Sequence, residues 1–379
     1  MRAVEVANPP DAVNVTMVHD FLDGFAGSER ILATIAGIYP EAPVWATMGY
    51  RDVARRMGVD DRFHTVLPHS DRMLEHFRLL TPLYPLIVRS RRLPAADVLL
   101  TSSYAFANGY RTVNDAPQLC YCYCPIRFAW SMTEAYGEEL PGGGASAALL
   151  RLLAAAIRRM DRKRASEVTR FVAESDYVAE QIRDFYGRGS TVIRPPVDTD
   201  LFRPSPAGGH DDYYLFCGRL VEPYKRPTIT VEAFRTLGKR LIVVGDGPAL
   251  ADLRRRAPAN VEFTGHLDDD RLVPLMQRCA ALVFPSKDDF GLLPVEVMAC
   301  GRPVIAYGAG GALETVLPGA TGEHFREQTA GAIAEAVATF DPDAYDPLAI
   351  RQHAETFGAP RFREAIRAEV LATARGERL

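Results

Sequence analysis

The chain has 379 residues, enough for two domains of ordinary size, each with its own core. With 47% hydrophobic residues, 24% charged residues and a formal net charge of −4, it reads as a folded globular protein without the basic excess that a phosphate backbone demands, which argues against nucleic acid as a partner. No window reaches the uncharged length that spans a bilayer and residues 1–14 lack the apolar core of a secretion signal, so a cytoplasmic location is expected.

Residues 15–18 form an apolar strand that runs into the loop HDFLDGFAGSER, and the pattern predicts a helix from about Glu29. Further strands are expected at 98–100, 119–122 and 171–173, and this alternation with helical stretches argues for a parallel sheet covered on both faces. Cys120, Cys122 and Cys124 would share one face of a strand. Zinc ligands normally need wider spacing and intervening turns, so these thiols read as small buried hydrophobes. Three prolines make 192–204 an extended connector, and SPAGGHDD at 205–212 marks a loop before a second alternation. Its strands are expected at 213–217, 241–244, 261–263, 281–285 and 304–306, with a terminal helix over 361–374.

The stretch 287–316, KDDFGLLPVEVMACGRPVIAYGAGGALETV, carries the densest signal. Pro294 suits the first helical position, so the amides of Gly291, Leu292 and Leu293 would face a ligand. A second apolar run leads to Gly308, Gly310 and Gly311, which let backbone approach a ligand before another helix opens, and two helix amino ends above one sheet make an anion site. Arg219 follows the strand 213–217 and Lys225 lies on the next loop, at the sheet edge where open α/β folds bind ligands. Arginine forks onto two phosphate oxygens and lysine acts as a mobile point charge; singly, either reads equally as a solvated cation. Gly245 in GDGP, Gly265 and His266 end the next two strands. The aspartate pairs 198/200 and 341/343 lie in a proline-rich connector and a DPD turn, where aspartate favours local caps over a metal.

These motifs resemble the retaining glycosyltransferases of the family 4 type, and the similarity covers nearly the whole chain. The resemblance implies the α/β GT-B fold, two Rossmann-like domains with parallel sheets facing a central cleft: an acceptor-binding domain at 1–195, a nucleotide-sugar-binding domain at 205–358, and a helix at 359–379 packing back on the first. It implies Arg219 and Lys225 on the donor diphosphate, Asp288 on the transferred sugar and Glu296 on the ribose, these last two matching a family pair of glutamates with seven residues between them. Gly27, Ser28, Gly218, Gly245, Gly265, His266, Gly291, Leu292 and Leu293 would complete the donor site. His19, Asp20, Tyr123 and Arg127 would contact the acceptor. The chain departs from the family pattern at Ala26, where a glycine is usual, at Tyr123, which replaces a histidine, and at Asp288, a shorter carboxylate.

By the same resemblance the reaction is a retaining transfer of a hexose to a hydroxyl of a glycan, lipid-linked saccharide or specialised metabolite. The leaving phosphate accepts the acceptor's proton, and neither a cofactor nor an essential metal is required. The subgroup flavour is that of mannosyltransferases using GDP-mannose. A nucleotide-sugar epimerase of the same architecture and a non-catalytic nucleotide-sugar binder stand beside it, the second motivated by Ala26, Tyr123 and Asp288. The basic clusters Arg89, Arg91, Arg92 and Arg158, Arg159, Arg162, Lys163, Arg164 suit either a peripheral contact with the inner membrane face or a solvated surface.

Overall fold

The computed structural model describes residues 13–68, 83–139 and 144–378. The chain divides into two compact units. The first takes in the chain as far as Glu174, together with Val178–Ile193 and Phe362–Leu379; the second takes in Ser175–Tyr177 and Arg194–Arg361.

In the first unit the strands are β1 (Val15–Leu22), β2 (Val44–Gly49), β3 (Phe63–Thr65), β4 (Arg92–Leu93), β5 (Val98–Ser103), β6 (Arg111–Thr112), β7 (Gln118–Cys122), β8 (Arg170–Ala173) and β9 (Thr191–Val192). Seven of them form one parallel sheet in the order β3-β2-β1-β5-β7-β8-β9, while β4 and β6 pair separately. All eight residues of β1 are buried, as expected of a parallel strand covered on both faces. Cys120 and Cys122 pack with Phe171, Val178 and Ile182 as ordinary core hydrophobes. The C-terminal helix Ala359–Ala374 is tied to this sheet by a nearly buried ion pair, in which Arg170 Nε donates to Glu369 Oε2 at 2.8 Å and Thr191 Oγ1 adds a bond at 2.9 Å.

The second unit holds β10 (Tyr214–Cys217), β11 (Leu241–Val244), β12 (Val261–Gly265), β13 (Ala281–Phe284), β14 (Val304–Tyr307) and β15 (Gly322–Phe325), all parallel, in the order β12-β11-β10-β13-β14-β15. In both large sheets the chain first winds outward to one side and then restarts beside the first strand. This reversal defines a topological switch point, and ligands of open α/β sheets bind outside the carboxyl ends of the strands there. The switch points lie between β1 and β5 in the first unit and between β10 and β13 in the second.

Candidate functional site

At the second unit's switch point the loops after β10 and β13 bring together residues far apart in sequence. Lys225 Nζ donates to Asp288 Oδ2 at 2.6 Å, with the two side chains 19% and 14% exposed. The same ammonium lies 4.7 Å from the centroid of the Tyr224 ring. Asp288 Oδ1 is buried and has no hydrogen-bond partner among the described residues. Arg219 is exposed, and no ion pair among the described residues uses it. Burial, reinforced by the Glu296 carboxylate and opposed by Lys225, pushes the Cys217 thiol up to about 12, which places both charged groups close to the end of β10.

Glycines shape the floor. The Gly218 amide donates to Val244 O and the Leu220 amide to Asp246 O, zipping the loops after β10 and β11 together. A Cβ on Gly245, whose φ is +133°, would stand 1.9 Å from the Gly218 carbonyl oxygen. Gly218 itself has φ +140° and open space around it, so there glycine is needed for the backbone shape alone. Gly265 also has positive φ, and its carbonyl accepts the Gly245 amide; His266 beyond it is exposed, 4.0 Å from Asp268.

Two expectations are corrected here. The helix after β13 spans Leu292–Ala299, two residues earlier than Pro294 suggested, because proline is also tolerated further into a first turn that has no intrahelical donors to lose. Gly291, with φ +90°, caps it without a side chain, so no side chain of the cap competes for the opening amides; Leu292 and Leu293 pack partly on the core, and Glu296 sits half-buried on the next turn. The second glycine loop does not open a second anion-binding helix. Ala312–Thr315 is a single turn, the Gly311 amide is already bonded to Asp288 O at 2.9 Å, and Glu314 is committed to the Tyr177 amide and Arg194. Instead the loop packs tightly on the residues beside Asp288: a Cβ on Gly311 would lie 2.2 Å from the Phe290 carbonyl oxygen.

At the first unit's switch point three of the residues expected at the acceptor are buried and hydrogen-bonded within the chain. Asp20 is fully buried, and its carboxylate accepts the backbone amides of Tyr104, Ala105, Phe106 and Ala107 at 2.6–2.9 Å. Its lone pairs are spent on shaping the loop after β5. His19 is equally buried: its Nδ1 lies 2.9 Å from Ser102 Oγ and its Nε2 3.5 Å from Glu29 Oε1. Tyr123 is 5% exposed, its hydroxyl 2.7 Å from Ser102 Oγ and donating to Ser28 O at 3.0 Å. A side chain at the carboxyl end of a strand can turn into the sheet edge or out of it, and all three turn in. Arg127 is half-buried in the loop after β7.

Gly27 and Ser28 open the helix Gly27–Ala36. Glu29 reaches back to the Ala26 amide at 3.0 Å and accepts the Ser28 hydroxyl at 3.0 Å. Ala26 has φ −125° and is exposed, a conformation any residue adopts, so the missing glycine costs the loop nothing in backbone shape. Glu29 and Ser102 were not anticipated as site residues. The spacing of Glu29 three residues after the helix cap was the available signal for one; nothing in the sequence pairs Ser102 with His19. A separate cavity of about 550 Å³ is lined by Trp45, Tyr50, Arg51, Asp52, His64 and Thr65, none of them an expected site residue.

The basic clusters divide between structural contacts and exposed surface. Arg164 is buried and donates to Pro85 O, Arg158 donates to Ala129 O, and Arg162 lies over the Trp130 ring, whereas Arg89, Arg91, Arg159 and Lys163 are exposed. Residues 79–82 of the apolar and basic stretch fall outside the described residues. The aspartate pairs act as caps: Asp198 Oδ1 accepts the amides of Asp200 and Leu201, and Asp341 Oδ1 accepts that of Asp343. Among the described residues no helix is long and apolar enough to cross a membrane.

Residues 211–340, which contain the whole second switch point, match the profile of the family described as glycosyl transferases group 1. The D-inositol 3-phosphate glycosyltransferase of Mycobacterium tuberculosis is 31% identical over 195 residues, 45% of this chain and 40% of that protein; the chain spans less than half the length of the curated relatives it matches. Among solved structures, Anabaena HepE in complex with UDP-glucose aligns with a TM-score of 0.70 at 19% identity, covering 95% of this chain and 99% of that one. Sucrose-phosphate synthase from Thermosynechococcus elongatus aligns with a TM-score of 0.63 at 17% identity, covering 96% and 98%. The chain therefore has the GT-B fold, and its residues 211–340 are similar to the group 1 glycosyl transferases.

Proposed function

We propose that the protein is a retaining glycosyltransferase that moves a hexose from a nucleoside diphosphate sugar to a hydroxyl acceptor. One observation supports this above the others: Lys225, Asp288 and the exposed Arg219 converge on the switch point of the unit that matches the group 1 family. In the reaction the bond from the sugar's anomeric carbon to the diphosphate breaks, a bond to the acceptor oxygen forms on the same face, and the acceptor's proton passes to the departing phosphate. Negative charge grows on the diphosphate as it leaves, and Arg219 and Lys225 are the fixed cations that meet it. Asp288, with one oxygen unpartnered, takes hydroxyls of the transferred sugar, Glu296 takes the ribose, and Gly291, Leu292 and Leu293 turn amides toward phosphate. No residue is assigned as base, and neither a metal nor a cofactor enters the mechanism.

GDP-mannose is the donor suggested by the sequence motifs. UDP-glucose is the second reading, favoured by the UDP-glucose bound to HepE, whose fold this chain shares. Exposed Leu149 and Leu152, one turn apart on the helix Gly144–Glu167 that also carries exposed Arg159 and Lys163, favour docking on an anionic membrane surface from the cytoplasmic side. Incubation of the protein with GDP-mannose and with UDP-glucose, with and without a saccharide panel, tests the assignment. Transfer releases nucleoside diphosphate and adds one hexose mass to an acceptor; a donor epimerised without diphosphate release, or bound without turnover, would favour the two rival activities.

A further inference from the structure

Buried polar groups at the strand ends of the first unit form a hydrogen-bonded chain that reaches the opening turn of the helix Gly27–Ala36. His19 Nδ1 lies 2.9 Å from Ser102 Oγ, Ser102 Oγ lies 2.7 Å from the Tyr123 hydroxyl, and that hydroxyl lies 3.0 Å from Ser28 O; on its other side His19 Nε2 faces Glu29 Oε1 at 3.5 Å without a hydrogen bond among the described residues. Three of the members end neighbouring strands of the sheet, since His19 lies on β1, paired in register with Ser102 on β5, and Tyr123 directly follows β7.

The direction of the hydrogen bonds is forced. A carbonyl oxygen carries no hydrogen, so Tyr123 must donate to Ser28 O. That uses the only phenolic hydrogen, so Ser102 must donate to Tyr123. That in turn uses the serine hydrogen, so Ser102 Oγ accepts from His19, whose hydrogen is therefore on Nδ1. Burial holds the phenol well above its ordinary range, consistent with its role as donor.

We propose that Tyr123 is a positioning residue: held by Ser102 and donating to the Ser28 carbonyl, it fixes the Ser28 peptide, and with it the opening turn Gly27–Ser28–Glu29, relative to three adjacent strand ends. It does not touch the acceptor. The inference rests on the proposed function only in what the turn presents, namely the amides that meet the donor phosphate. In this chain the tyrosine reaches the loop directly, so the loop is set by the sheet rather than by glycine flexibility at position 26.

Hydrogen exchange of the free protein separates the two layers. In Tyr123→Phe and in Ser102→Ala, amides at 30–32, the first of the helix Gly27–Ala36 to bond back onto its opening turn, should exchange about tenfold faster, the size expected for one lost hydrogen bond, while β5 and the helix Pro227–Leu237 keep wild-type protection. Ser102→Thr retains the hydroxyl and should behave as wild type, and the double variant should be no worse than either single one, because both cut the same chain of hydrogen bonds. With donor, KM should rise about tenfold at nearly constant kcat. Unchanged exchange at 30–32 in Tyr123→Phe would overturn the positioning role whatever the substrate. Faster exchange at 30–32 in Tyr123→Phe, together with a wild type that binds neither UDP nor GDP, would uphold the positioning and remove the transfer reading instead.

Discussion

Lys225 and Arg219 are assigned the same work on the diphosphate, yet their surroundings require their removal to have different consequences for the fold. Arg219 is exposed and without an ion pair among the described residues, so Arg219→Ala should leave the melting temperature of the protein unchanged. Lys225 lies 2.6 Å from a carboxylate that is only 14% exposed and already has one oxygen unpartnered. Its truncation strands that charge. Breaking a fully buried pair from one side costs about 3–5 kcal/mol, and the residual exposure here discounts that to about 2–3 kcal/mol. For a unit of roughly 170 residues each kcal/mol moves the midpoint by about 2–4 °C, so Lys225→Ala should melt roughly 4–12 °C lower. Lys225→Met combined with Asp288→Leu removes both charges and keeps the volume, and should recover most of the loss. Differential scanning calorimetry of the four proteins gives the answer, alongside turnover, which should fall about 100–1,000-fold for either single alanine. A Lys225→Ala protein that melts with the wild type, or a double variant no more stable than it, would refute the buried-pair reasoning.

Other tests follow from single features. Asp20→Ala orphans four amides, two buried and two part-buried, and should cost more than about 4 kcal/mol in urea denaturation, beyond the ordinary range for a point substitution, with Asp20→Asn in between. Gly311 has an ordinary negative φ, so Gly311→Ala tests the collision with the Phe290 carbonyl alone, whereas Gly218→Ala tests backbone strain alone; the first should lower both stability and nucleotide affinity, the second stability by about 1–3 kcal/mol. Asp161 is buried among Trp130, Tyr186 and Asn108, and burial raises its carboxyl above the usual range. The sign then runs opposite to a salt-bridged carboxylate: its stabilising contribution is complete below the unfolded value, about 3.9, and is lost as pH rises through the higher folded one. Asp161→Asn should abolish that decline in a stability-against-pH series, and an identical slope would contradict it.

Fold was legible where strands are buried on both faces, because such strands are written as unbroken apolar runs. The residues 241–244 are read to their exact ends, and 304–306 to within one residue. β15, with the sequence GEHF, has no such run and was missed, as were the two-residue strands whose pairing is set by their neighbours. In the candidate site, placement was legible where residue type and glycine spacing mark the end of a strand, as with Lys225, Asp288 and Gly245, which pairing and packing bring to one sheet edge. It was not legible where one torsion decides. His19, Asp20 and Tyr123 have the right chemistry at the right strand ends, and only the folded chain shows that each spends its polar atoms inward.

The most direct test is a donor-by-acceptor array read by mass spectrometry, with nucleoside diphosphate quantified in the same wells. Transfer by Arg219 and Lys225 chemistry predicts one equivalent of diphosphate released for each hexose gained by an acceptor, with both signals lost together in Arg219→Ala. Binding of donor with no diphosphate released across the array, or release that survives Arg219→Ala undiminished, would contradict it.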